Sequence, residues 1–224
     1  MKKRLLILTG PQGSGNHLWS KIFSESPQVQ GWKELTKKYW DGHGNEPFTR
    51  IWENPELFLK RDWPHEYYFT SISCPYMSTG GPVMTKDDKV ITPKYQEFIE
   101  YAQKAGFEIT LVVIGRDRNI LTQQQSRVRT QITWTIFLEE YNSSLQQYEH
   151  THISTELLYL YRNNYIKQLR KLLDWPIDIE EEKLEQILID DTNSKYIKSV
   201  EEYWLDEHMK KTSVENGKHL EWIF

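Results

Sequence analysis

Leu5-Leu6-Ile7-Leu8-Thr9-Gly10-Pro11-Gln12-Gly13-Ser14-Gly15-Asn16-His17 sets the expectation for the whole chain. Four consecutive aliphatic residues read as a short strand buried on both faces, the pattern of a parallel sheet. Gly10 to His17 then reads as a glycine-rich turn. From His17 to Phe23 the apolar residues Leu18, Ile22 and Phe23 fall at helical spacing, until Ser24 to Pro27 ends the helix. A glycine-rich turn between strand and helix points successive backbone N–H groups at an anion, and the helix N-terminus adds positive field. The alternative is a strand–helix turn that binds nothing.

The alternation continues along the chain. Gln28 to Trp32 fits a very short strand, Tyr67 to Ser73 a strand closed by Pro75, and Ile109 to Ile114 a second buried strand. Pro93 opens a helix with Tyr95, Phe98, Ile99, Tyr101 and Ala102 on one face, and Gly106 stops it. Helical patterns run from Asn119 to about Tyr148, His152 to Thr155 fits a further strand, and Leu158 to Leu173 is helical up to Pro176. Amphipathic helices fit Glu180 to Ile189 and Val200 to Lys210. The expected architecture is α/β, a three-layer α/β/α domain around a central parallel sheet, of P-loop-like nucleotide-binding type. One domain spans 1–224, with an aromatic insertion of loops and short helices at about 35–66 and a helical region from about 157.

Composition narrows the function. The 224 residues carry a formal charge of -4, which lacks the broad basic surface of a nonspecific nucleic-acid binder. The mean hydropathy is -0.70, yet 9 Trp, 13 Tyr and 8 Phe exceed what a disordered chain carries. The single cysteine, Cys74, excludes an internal disulfide framework and a cysteine-based zinc site, which suits a reducing compartment. Leu5 to Leu8 is too short for the apolar core of a signal peptide, and no segment reaches membrane-span length. A cytoplasmic protein that binds neither membrane nor nucleic acid is expected. His65, His150 and His152 show no paired ligand spacing, so no metal is expected.

The spacing Gly10–Gly15 is that of a Walker A loop, but Asn16 and His17 stand where an NTPase carries Lys and Ser/Thr. With these residues in view the chain resembles the PAPS-dependent sulfotransferases, whose first strand leads into Pro-x-Ser-Gly-Thr-Thr. Here Ser14-Gly15-Asn16-His17-Leu18 is similar to that loop, one residue looser after Pro11. The family's second signature, a buried strand ending in Arg-Asp-Pro, is similar to Leu111-Val-Val-Ile-Gly-Arg116-Asp117-Arg118. A serine on the following helix resembles Ser126. It lies eight residues after Arg118, whereas eight after Arg116 falls on Gln124. Ile153-Ser-Thr-Glu156 and Leu172-Leu-Asp-Trp-Pro176 resemble a third helix entry and its end.

The resemblance implies 3′-phosphoadenosine-5′-phosphosulfate (PAPS) as co-substrate. Gly13, Ser14, Gly15, Asn16 and His17 would lie at its 5′-phosphosulfate, and Arg116, Arg118 and Ser126 at its 3′-phosphate. A bidentate arginine at the end of a buried strand suits a phosphate; the alternative is an arginine paired with Asp117 or Glu139. Lys195 is a further phosphate candidate, with a solvated lysine as its alternative. Two family features are absent: the loop lysine or arginine is replaced by Gln12 or Gly13, and Ser73 stands where a third-strand histidine would. The segment Trp32-Lys33-Glu34 resembles the Lys-Glu pair of carbohydrate-type sulfotransferases. That makes Glu34 the candidate base and Lys33 a charge stabiliser, against a solvated pair; His43 and His65 are alternative bases.

Tyr39, Trp40, Trp52 and Trp63 either shape an acceptor site or pack the insertion onto the sheet. The acceptor is a hydroxyl, with carbohydrate the class this resemblance suggests, and a homodimer is an expectation of the family alone. Two other readings stay open: a P-loop phosphotransferase, and a binding protein on the same scaffold without catalysis.

Overall fold

The computed structural model describes residues 2–32, 47–77, 90–129 and 132–191. Five parallel strands form the central sheet in the order β2-β3-β1-β6-β7. They are β1 (Lys3–Pro11), β2 (Val29–Gly31), β3 (Tyr67–Cys74), β6 (Phe107–Gly115) and β7 (His150–Ser154). A separate antiparallel pair joins β4 (Tyr76–Met77) to β5 (Val90–Ile91). The helices are α1 (Asn16–Phe23), α2 (Thr49–Glu53), α3 (Tyr95–Lys104), α4 (Arg118–Arg129), α5 (Trp134–Glu140), α6 (Thr155–Leu173) and α7 (Glu181–Asp190).

The aliphatic run of β1 sits mid-sheet, and Leu5, Leu6, Ile7 and Leu8 are fully buried. Strand alternation sorts them into two cores. Leu6 and Leu8 join Trp19, Phe23, Phe69, Val112, Ile114, Ile153 and Leu158 on one face. Leu5 and Ile7 join Phe58, Tyr68, Phe98, Leu111 and Val113 on the other. Each such side chain stabilises the fold by roughly 1.5–3 kcal/mol relative to exposure, so β1 and β6 anchor both layers. The three-layer α/β/α expectation is met.

The connection after β1 crosses towards β2, and the connection after β6 crosses the other way to β7. The crossovers therefore step in opposite directions from β1 and β6, and a crevice opens at the C-terminal ends of these two strands, the usual ligand position in an open α/β sheet. The loop after β1 and Arg116 after β6 both lie there.

Several local expectations change. The helical stretch Asn119 to Tyr148 divides into α4, α5 and a π-helical turn, Tyr141–Leu145. α6 is kinked at Arg162, which takes φ 44 and ψ -122. Among the insertion residues described, Trp52 and Trp63 are packing residues. Trp52 stacks on Phe98 at 3.6 Å between centroids and donates its indole N–H to Thr70 Oγ1 at 3.0 Å. Trp63 stacks on Phe48 and donates to the Phe58 carbonyl. These rings close the core over β3 and α3, Trp52 buried and Trp63 half-buried. Tyr39, Trp40, and the helix expected at Val200 to Lys210 lie outside the described residues.

Candidate functional site

Backbone geometry at the loop demands glycine at defined places. Gly13 and Gly15 take φ values of +86 and +104, a region that L side chains avoid. A Cβ on Gly10 would stand 2.7 Å from Ser14 Oγ, so the loop folds tightly onto the strand end. The Ser14 N–H closes the turn on the Pro11 carbonyl at 3.0 Å.

Three consecutive loop carbonyls are held by three side chains from elsewhere in the chain. Gln125 Nε2, on α4, donates to the Gln12 carbonyl at 2.7 Å. Arg116, following β6, donates through Nη1 to the Gly13 carbonyl. Thr155 Oγ1, at the start of α6, donates to the Ser14 carbonyl at 2.6 Å. In a trans peptide the N–H of the next residue points opposite to each carbonyl. Tying these carbonyls therefore turns the N–H groups of Gly13 and Gly15 away from the three donors. The N–H groups of the first turn of α1 are unpaired within the helix and lie alongside. Together they form a positive rim at a helix N-terminus, an anion-binding arrangement.

The ties are themselves buttressed. Gln125 is buried, and its Oε1 accepts the backbone N–H groups of Thr133 at 2.8 Å and Trp134 at 3.0 Å. Thr133 Oγ1 donates to Gln12 Oε1 at 3.1 Å, which directs the Gln12 side chain into this network. Thr155 Oγ1 also accepts the Trp19 indole N–H at 3.1 Å, binding α1 to the same hydroxyl. The Asn16 amide donates to Ser73 Oγ at 3.0 Å and to Ser14 Oγ at 3.3 Å, which ties the loop to the end of β3.

The Arg116 side chain is fully buried, with Nε 3.7 Å from Glu156 Oε1. Glu156, not Asp117 or Glu139, is thus its acidic neighbour. Asp117 instead caps α4, its carboxylate accepting the N–H groups of Asn119 and Ile120 at 2.8 and 3.0 Å. Glu156 also accepts the Asp117 N–H and the Ser154 hydroxyl. Tyr159 stands near this guanidinium; burial first, then Asp191, push its phenol above the ordinary range, and Arg116 opposes them. It is a neutral donor to Asp191.

Of the residues expected at the nucleotide, Gly13, Ser14, Gly15, Asn16 and Arg116 come together in the loop network, while His17, the second residue of α1, packs its ring edge-on to Trp32 at 5.9 Å. Arg118 is exposed, with its guanidinium 4.8 Å over the Trp134 ring. Ser126 is exposed on α4, whereas the side chain of Gln124 lies against Gly13. His65 is exposed beside Tyr68. Glu34, Lys33, His43 and Lys195 lie outside the described residues. Sequence reasoning missed Gln125, Thr133 and Thr155. Their signals are faint: a polar run Gln123-Gln124-Gln125 inside a helix, and a threonine beside the Ser154 helix cap.

No family model matches the chain, and no curated protein matches it. Among solved structures it is similar to the tunicamycin resistance protein of Deinococcus radiodurans, at 12% identity and a TM-score of 0.45, over 80% of this chain and 99% of that one. It is similar to a mouse sulfotransferase complexed with PAP, at 13% identity and a TM-score of 0.44, over 87% of this chain and 66% of that one. A third likeness is to a retinol dehydratase in complex with androsterone and inactive cofactor PAP, at 13% identity and a TM-score of 0.32, covering 82% and 62%. No helix among the described residues is long and apolar enough to cross a membrane.

Proposed function

We propose that the chain binds a 3′-phosphorylated adenosine nucleotide of the PAPS type and transfers its sulfuryl group to an acceptor hydroxyl, with carbohydrate the acceptor class. The observation that carries this reading is the fixing of the Gln12, Gly13 and Ser14 carbonyls by Gln125, Arg116 and Thr155. A pre-set rim of N–H groups costs no reorganisation when a phosphosulfate arrives, which is how electrostatic stabilisation of a transferring group works best. Arg116 supplies the fixed charge that distinguishes a phosphate-bearing ligand from a neutral one.

In this reading Gly13 to His17 receive the 5′-phosphosulfate, and the second phosphate lies on the side of Arg116 and Gln124, where buried Arg116 acts by its charge and by holding the Gly13 carbonyl. Arg118 and Ser126 are the alternative pair for that phosphate. Glu34 would remove the acceptor proton and Lys33 would stabilise charge on the bridging oxygen. Titration with 3′-phosphoadenosine-5′-phosphate against ADP and ATP tests the binding half, and sulfate transfer by the Glu34→Gln variant tests the chemistry.

A second reading, nucleotide binding without transfer, is favoured by one observation. Gln12, which with Gly13 stands where the family's loop cation would, is buried and engaged with Thr133. A glutamine there brings no charge of its own to the leaving bridge oxygen. Sulfate transfer to any acceptor, with loss of it in Glu34→Gln, decides for the enzyme.

A further inference from the structure

Away from the loop, three polar atoms meet on the edge of the sheet. His150 and His152 sit two apart on β7, so both side chains leave the same face. That face is the one over which the π-helical turn begins, at Tyr141. His150 Nε2 lies 2.9 Å from the Tyr141 hydroxyl and 3.2 Å from His152 Nε2, and His152 Nε2 lies 3.3 Å from the same hydroxyl. Neither histidine takes part in the loop network. His152, the nearer histidine, lies two residues, roughly 7 Å, before Ser154 at the Glu156 end of the crevice.

The orientation of His150 is fixed. Its Nδ1 lies 2.7 Å from the Tyr148 carbonyl, an acceptor only, so Nδ1 carries the proton and Nε2 presents a lone pair. A backbone carbonyl on the far nitrogen is the arrangement that orients a metal-ligating imidazole. Around a zinc ion with donor distances of about 2.0–2.1 Å, neighbouring tetrahedral donors stand about 3.3 Å apart. All three edges of the triangle Tyr141–His150–His152 are near that length. Protons alone can bridge the triangle only in part, since two Nε2 atoms facing one another share a single N–H. A cation at its centre satisfies all three atoms at once. Among the described residues no three His, Cys, Asp or Glu side chains gather about one point; here the third donor is a phenol. In sequence His150 and His152 have no third donor, and Tyr141 becomes one only in the fold.

The geometry points to a divalent transition-metal site, of the zinc class, formed by Tyr141 Oη, His150 Nε2 and His152 Nε2. Two imidazoles and one oxygen suit Zn2+, Cu2+ or Ni2+ and not Mg2+ or Ca2+. His152 is exposed, so water can fill a fourth position. On binding, the phenol proton passes to solvent and Tyr141 ligates as phenolate. The ion would pin the edge strand β7 to the turn after α5, which makes the site structural.

The test is a titration of the tag-free full chain with Zn2+ alone, with Mg2+ and Ca2+ as controls. One equivalent should bind, with a dissociation constant in the micromolar range or below. His150→Gln and His152→Gln should each weaken it at least tenfold, while His65→Gln leaves it unchanged. With Cu2+ as the probe, a phenolate-to-copper absorption band should appear and vanish in Tyr141→Phe. If His150→Gln fails to fold, exposed His152 still decides: the zinc-induced rise in melting temperature should be lost in His152→Gln while the metal-free melting temperature stays as in the parent. No binding, or one equivalent that survives both histidine substitutions, overturns the site.

Discussion

The hydroxyl of Thr155 donates to the carbonyl of Ser14 at 2.6 Å, so the start of α6 holds the turn that precedes α1. The two residues are 141 positions apart, and the same oxygen receives the indole N–H of Trp19. One buried side chain thus couples the sheet edge to the loop and to the helix that follows it.

Thr155→Val keeps the volume and removes both hydrogen bonds. A buried indole N–H and a buried carbonyl would then lack partners, at a cost of about 1–3 kcal/mol. Urea denaturation should show that loss, and the loop's anion affinity should fall with it. A change within about 0.5 kcal/mol, the scatter of surface substitutions, would mean that the hydroxyl does not hold the turn.

Gly15→Ala places a Cβ at φ +104 and 3.0 Å from Thr155 Oγ1. Backbone strain of about 1–2 kcal/mol adds to the displacement of that hydroxyl. The variant should be less stable and bind nucleotide weakly, whereas alanine at exposed Ser126 should cost under about 0.5 kcal/mol. Equal stability of Gly15→Ala and the parent would contradict the left-handed turn.

On α4 the two possible registers for the second phosphate separate by experiment. Gln124 lies against Gly13, while Ser126 is exposed. Gln124→Ala should weaken binding of 3′-phosphoadenosine-5′-phosphate several-fold and Ser126→Ala should not. The reverse result would assign the phosphate to Arg118 and Ser126.

Alkaline pH should destabilise the fold. Burial first, then Glu140, push the Cys74 thiol from 9.0 up to about 12, opposed by a hydrogen bond with Tyr95. Above pH 9 the unfolded chain therefore releases a thiol proton that the folded chain keeps, and stability falls as pH rises towards 12. Tyr95, fully buried, is raised for the same reason and adds to the fall above its ordinary value of 10.0. Urea midpoints followed from neutral pH to about pH 10.5 should decline, less steeply in Cys74→Val. A thiol reagent should label Cys74 only on unfolding; rapid labelling of the folded protein would contradict its burial.

Much of the sheet was legible in the sequence because β1 and β6 are buried on both faces. Such strands must be nearly continuous apolar runs, and Leu5–Leu8 and Ile109–Ile114 are. The start of α5 was not legible, because a side chain from α4 sets it: Gln125 accepts the N–H groups of Thr133 and Trp134. The β4–β5 pair escaped notice since two-residue strands have no period. At the site, glycines and an arginine after a strand announce themselves by type and place. Gln125 and Thr155 act through carbonyls distant in sequence, and no local pattern encodes that. For Trp52 and Trp63 the sequence left two readings open, because an aromatic side chain looks the same in a core as on a ligand platform.

Calorimetric titration with 3′-phosphoadenosine-5′-phosphate, with ADP and ATP as controls, tests the central claim most directly. The account predicts selective binding of the 3′-phosphorylated nucleotide. Arg116→Ala should weaken it by about 1.5–3 kcal/mol, roughly ten- to a hundredfold in Kd, as for loss of a charged hydrogen bond. Equal affinity for all three nucleotides, binding of ATP alone, or no binding at all would contradict it.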